Sequence, residues 1–373
     1  MTVILFSFMS DWRNLLYAGF ALFLAAMAFV SPVPNDFDRY IYEALVRGRH
    51  STVQEIYPTL KHETPRAEAS TVLDSPEHLG QLEPLYAIRP LYIETISTLS
   101  RWLTIQQSIN AVSAASLFGI ALVLAIWTRK QLYCAMFLSW PTILNVARIG
   151  TPDALSGLMI IFGFWSLARY RILHGLLVLL ASVWVRTDNV LIVFAALVWL
   201  TWAKKIPMVY AAVLAALGGG SVAFINHMAG NYGWLVLFRY SFIGGKYPAD
   251  ISPHLTAQEY LSAALHGSAA LAPQLAPWIL VGLVAWKWRK SERHMLLTVM
   301  LASATHFFLF PSGEARYFLW AFLLTVVACV RAMTEPELSP ISLPGTQTSS
   351  FGDNLCLFPI HVTRARSSTS RNK

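Results

Sequence analysis

The sequence predicts an all-α fold, a polytopic transmembrane helical bundle of about ten spans within a range of roughly eight to eleven. Three observations lead there. Hydrophobic residues make up 55% of the 373 and charged residues only 13%, with a mean hydropathy of +0.50. A soluble domain carries charge on about a quarter of its residues. Apolar stretches recur along the chain at lengths near one bilayer crossing, and Lys and Arg crowd into alternate short loops. Together these exclude a soluble enzyme and a disordered protein. They also exclude a nucleic-acid partner, despite the net charge of +8.

The apolar runs cover residues 14–31, 107–127, 132–147, 154–168, 172–185, 189–203, 207–227, 271–286, 295–311 and 316–330. The first also resembles a signal peptide, since Ala26-Met27-Ala28 is a small-residue cleavage pattern. Phe29 and the Ser-Pro pair beyond it nevertheless read as an ordinary loop entry after a span. Alternate short loops carry Arg129-Lys130, Arg169 with Arg171, Lys204-Lys205 and the cluster from Lys287 to Arg293. Lys/Arg bias in short loops sets orientation, so both termini are expected in the cytoplasm, in a bacterial inner membrane. Most of the net charge is then topology.

Residues 1–333 read as one membrane domain. Its first outer loop, 32–106, holds half of the twenty acids. Within it, Ile88, Leu91, Tyr92, Ile96, Leu99, Trp102 and Leu103 have helical spacing, which predicts an interfacial helix over 88–105. A second outer or re-entrant segment is expected over 228–270. The tail 334–373, rich in Ser, Thr, Pro and Arg, reads as disordered and cytoplasmic. Cys134, Cys329 and Cys356 show no metal or disulfide spacing. Tryptophans near span ends fit an interfacial belt. No inverted pair of broken helices stands out, which disfavours a transporter or flippase of a lipid-linked or anionic solute.

Ionisable residues at membrane ends are costly and mark function. Here they gather on the outer side. Asp36 and Asp38 open the first outer loop, where each is a possible general base or divalent-metal ligand. If the stretch from Asp38 is helical, Asp38 and Tyr42 share a face. Three further loops carry Arg148 with Asp153, Arg186 with Asp188, and Glu314 with Arg316 and Tyr317. Asp153 and Asp188 also suit helix caps. Arginines on the side that topology disfavours point to a phosphate or pyrophosphate ligand, through bidentate hydrogen bonds. The histidines have no metal-ligand spacing; His306 lies in the ninth run, toward the outer side.

In the order and shared side of these motifs, the chain resembles the integral-membrane glycosyltransferases of the GT-C fold, which use lipid-phosphate sugars. The motifs are Asp36 and Asp38, Gly150-Thr151-Pro152-Asp153-Ala154-Leu155, Arg186-Thr187-Asp188-Asn189, and Glu314-Ala315-Arg316-Tyr317-Phe318. The resemblance implies a polyprenyl-phosphate sugar donor, a glycan, lipid or protein acceptor, and a membrane-lipid environment. It gives Asp36 or Asp38 the role of base or of ligand to a divalent cation such as Mg or Mn. Arg148, Arg186 and Arg316 would meet the departing lipid phosphate, with Asp153, Asp188, Glu314 and Tyr317 around the substrate. A polysaccharide polymerase or ligase is the neighbouring alternative, disfavoured because the large loop comes first in the chain.

Overall fold

Apolar segments in a membrane satisfy every backbone polar group internally, and helices do this within one segment. The computed structural model obeys that rule. It describes residues 11–32, 37–49, 51–63, 74–169, 171–288 and 293–334, and among these no strand occurs. In chain order the helices are α1 (Trp12–Val30), α2 (Phe37–Arg47), α3 (Val53–Glu63), α4 (Pro76–Tyr86), α5 (Pro90–Leu99), α6 (Ile105–Thr128), α7 (Gln131–Leu138) and α8 (Pro141–Arg148). Then come α9 (Asp153–Ala168), α10 (Ile172–Ser182), α11 (Val190–Trp202), α12 (Met208–Met228), α13 (Trp234–Phe242), α14 (Ala257–Trp288), α15 (Arg293–Leu309) and α16 (Leu319–Thr334). Short 3₁₀ turns at Thr187–Asn189 and Ala315–Phe318 lead into α11 and α16.

Among the described residues, five helical segments are long and apolar enough to cross a membrane: Trp12–Val30, Ile105–Thr128, Met208–Met228, Ala257–Trp288 and Ala315–Met333. The helices Asp153–Ala168, Ile172–Ser182 and Thr187–Trp202 are apolar but shorter. Two expected runs differ. The 132–147 run breaks into α7 and α8, each of eight residues. Pro141 opens α8 at its first turn, and a proline disfavours helical conformation in the residue before it. The 271–286 run is the later part of a 32-residue helix that starts at Ala257, inside the 228–270 segment. The tail expected to be disordered lies outside the described residues.

α1, α6, α9 and α16 pack around one another, and α9 also lies along α10. The last contact is close because Gly163 and Gly175 face each other; a Cβ on Gly175 would lie 2.8 Å from the Gly163 carbonyl oxygen. Tyr17 in α1 donates to the Ala121 carbonyl of α6 at 2.9 Å. Gly267 in α14 sits against Pro311, whose backbone carbonyl would collide with any side chain there. Gly267→Ala is therefore expected to destabilise the fold by about 1–3 kcal/mol, as overpacking does. Denaturant titration in detergent checks this; an unshifted midpoint would refute the close packing of α14 on the 310–313 turn.

The described residues between α1 and α6 are themselves folded. α2, α3 and α4 enclose a small core of Ile41, Ala44, Ile56, Leu60, Leu79, Leu82 and Leu85, joined by Leu237 and Tyr240 of α13. The other face of α2 buries Tyr42 and Val46 with Tyr92, Ile93 and Ile96 of α5, Ile109 and Val112 of α6, and Val185. α2 is thus covered on both sides, which fixes where its first turn points. The expected 88–105 helix ends at Leu99, because Thr104 and Gln107 form a capping box that starts α6. The 246–249 stretch ties back to this layer. Lys246 pairs with Asp74, and Ala249 N–H donates to Gln81 at 3.1 Å.

Candidate functional site

The site is built where three chain-distant turns meet under this layer. Asp38 stands in the first turn of α2, where an acid is favoured by the helix dipole, and is only 7% exposed. Tyr42 lies one turn on, as helical spacing requires, and is also buried. Tyr86, the last residue of α4, donates to Asp38 Oδ1 at 2.5 Å. Arg316, in the 3₁₀ turn before α16, donates from Nη1 to Asp38 Oδ2 at 2.8 Å. Arg316 also pairs with Glu314, which is solvent-exposed.

A second ion-pair group lies beside the first. Arg186 grips Asp188 with two parallel hydrogen bonds, Nε to Oδ1 at 3.0 Å and Nη2 to Oδ2 at 2.6 Å. Its Nη1 reaches Asp153, across 33 residues of chain. Asp153 accepts from Thr151 Oγ1 at 2.6 Å and is the first residue of α9, after Pro152 at the cap position. Asp153 and Asp188 both stand in first helical turns, as expected, and their side chains pair with Arg186 there. Burial favours the pairing, since a buried carboxylate needs a cation. His306 in α15, buried to 3% exposure, donates from Nε2 to Asp188 Oδ2 at 2.8 Å. Its Nδ1 has no hydrogen-bond partner among the described residues.

Tyr317 joins the two groups. Its ring centroid lies 4.9 Å from the Arg186 guanidinium and 5.2 Å from that of Arg316. Each of those arginines is already flanked by two carboxylates. A third guanidinium is not. Arg89, the residue before α5, makes one long hydrogen bond to the Leu85 carbonyl at 3.4 Å. Its guanidinium lies 5.1 Å from the Tyr86 ring and 5.8 Å from the Tyr42 ring. Among the described residues it has no carboxylate partner in direct contact. Burial, then the nearby charge of Asp38, pushes the Tyr86 phenol well above its ordinary range, so it remains a hydrogen-bond donor. Burial would lower the Arg89 pKa, but Tyr42, Tyr86 and Asp38 outweigh it and the group stays charged.

Of the residues singled out in the sequence, Asp38, Asp153, Arg186, Asp188, Glu314, Arg316 and Tyr317 come together. Asp36 lies outside the described residues. Arg148 does not join; it donates from Nε to the Ser31 carbonyl at 2.7 Å and closes the end of α1. The local pairing of Arg148 with Asp153 is thus replaced by Arg186 with Asp153. Arg89 was missed, although an arginine directly before a helix-opening proline is a signal, because a cation there opposes the helix dipole. The role of His306 depends on a partner 118 residues away. Among the described residues, no three His, Cys, Asp or Glu are grouped to hold a metal ion.

These described residues define an all-helical protein with several helices able to span a membrane and a charged cluster at one end of them. No family model, curated protein or solved structure matches the chain.

Proposed function

We propose that the chain is a membrane glycosyltransferase that moves a sugar from a polyprenyl-phosphate donor to an acceptor hydroxyl. The observation that carries this reading is the Arg89 guanidinium, which no carboxylate among the described residues contacts directly, beside a buried carboxylate, Asp38, at the end of an apolar bundle. Such an end is where a lipid-linked phosphate would present its sugar.

In this mechanism the acceptor oxygen attacks the anomeric carbon of the sugar and the bond from that carbon to the phosphate oxygen breaks. Polyprenyl phosphate leaves, and the acceptor's proton passes to Asp38. Among the described residues each oxygen of Asp38 accepts one hydrogen bond, from Tyr86 or Arg316, and a carboxylate oxygen has two acceptor positions, so in this reading the second on either oxygen takes the incoming hydroxyl. Arg316 and Tyr86 thus aim the base. Arg89, with no carboxylate among the described residues to displace, is the first cation to meet the leaving phosphate. Arg186 and Arg316 add positive field from a site already held in place by their own acids. No step is routed through a metal ion. The same reading counts the shorter apolar helices as spans, and places both termini in the cytoplasm of a bacterial cell.

The test is to reconstitute the purified chain in lipid nanodiscs with a panel of polyprenyl-phosphate sugars and monitor release of the lipid phosphate. Release with at least one donor supports the reading; folded protein that releases none, across donors and acceptors, sinks it. Arg89→Met should then raise the donor KM about tenfold or more and also lower kcat, because the lost cation both binds the donor phosphate and stabilises the charge that develops as it leaves. An unchanged KM would remove Arg89 from the phosphate site.

A further inference from the structure

At the end of the bundle remote from Asp38, four arginines gather. Arg129 caps the C-terminus of α6, Arg169 caps that of α9, and Arg331 lies in the last turn of α16. Arg171 precedes α10, whose far end leads to Arg186. The helices α6, α9, α10 and α16 pack together, and each has its other end toward the ion-pair cluster. Arg129, Arg169 and Arg171 are exposed and none has a carboxylate partner among the described residues; Arg331 is buried. Arg169 has its pKa lowered by loss of hydration and then by the positive charges of Arg129, Arg331 and Arg171, which places all four within electrostatic range.

Helix dipoles account for only part of this. A cation at a helix C-terminus is favourable by about 0.3–1 kcal/mol, which suits Arg129, Arg169 and Arg331. Arg171 stands at a helix N-terminus, the positive end, where an acid would be favoured. Charge bias in loops explains cations on this side but not their convergence from three separate parts of the chain. Arg129, Arg169 and Arg171, exposed and without a carboxylate among the described residues, form an arrangement of like charges that an anion completes.

We propose that these helix ends form a binding site for the phosphate of an anionic phospholipid headgroup, held by Arg129, Arg169 and Arg171 with Arg331 adding its charge from beneath. A lipid is the source the position favours. α6 and the Ala315–Met333 segment are long and apolar enough to cross a membrane, so the arginines at their ends stand at headgroup level. The site is independent of the sugar-transfer reading and stands or falls without it.

The full chain in phosphatidylcholine nanodiscs is titrated with phosphatidylglycerol, and bound lipid is counted by native mass spectrometry. Wild type should retain phosphatidylglycerol in preference to phosphatidylcholine. Arg169→Gln with Arg171→Gln, both at exposed positions, should weaken retention about tenfold or more. Arg169→Lys with Arg171→Lys should restore most of it. If the glutamine pair fails to fold, Arg171→Gln alone carries the test, with about threefold weakening expected. Equal retention by wild type and the glutamine variants overturns the site. Displacement of the lipid by millimolar inorganic phosphate overturns the lipid assignment in favour of a soluble phosphate ligand.

Discussion

Asp38→Asn is expected to lower kcat for sugar transfer by about 10²–10⁴ while leaving the donor KM within a few-fold, because a general base acts in the transition state and not in binding. Asn retains the shape and one acceptor oxygen, so the hydrogen bond from either Tyr86 or Arg316 survives. Glu314 remains beside Arg316 to balance its charge. Folding should therefore be less affected than catalysis. The measurement is lipid-phosphate release in nanodiscs, with thermal unfolding of the same preparation as the control. Transfer at the wild-type rate by a folded Asp38→Asn would mean that the base is another group, Asp36 being the first to test.

Arg186→Met should have the largest effect on stability. The side chain of Arg186 is 8% exposed and that of Asp153 3%, and removing the cation leaves two carboxylates without it. Breaking a buried ion pair by removing one partner costs about 3–5 kcal/mol, mostly from the uncompensated charge that remains. Asp188 keeps its hydrogen bond from His306, whereas Asp153 keeps only Thr151. Asp153→Asn in the Arg186→Met background should thus recover part of the loss, and a double-mutant cycle measures how much. If Arg186→Met unfolds at the same denaturant concentration as wild type, the pair adds nothing to the fold. Arg186→Lys should fall between, since an ammonium keeps the charge but cannot grip Asp188 through two parallel bonds.

The two effects separate what each half of the cluster does. The half around Arg186 is closed, with acids at both ends of the guanidinium and Tyr317 on its face. The half around Asp38 opens toward Arg89, which no carboxylate among the described residues contacts directly. In the proposed function, phosphate binding and structural support thus fall to different arginines, although all sit at the same end of the bundle.

Legibility in the sequence depends on the range of each interaction. Helices arise from local composition, and the expected runs find helical counterparts, with the break at Pro141 and the extension of α14 as the differences. Pairs close in sequence were also legible: Arg186 with Asp188 and Glu314 with Arg316 are two residues apart. The position of Tyr42 on the Asp38 face needed only the helical repeat. Arg148 misled, because its short distance from Asp153 in sequence suggested a partnership that the end of α1 took instead.

Composition and charge distribution alone thus determined an apolar helical protein with its few charges in certain turns, since hydropathy and backbone satisfaction act residue by residue. Tertiary structure decided which charges meet. Asp38 and Arg316 are 278 residues apart, and Asp188 and His306 are 118 apart. Such pairs form only because helix packing brings the turns to one place and burial penalises any charge left alone. The small share of charged residues is plain in the sequence. That Arg89 stands clear of every described acid, and that four arginines converge at the opposite end, became visible only once the helices had been packed.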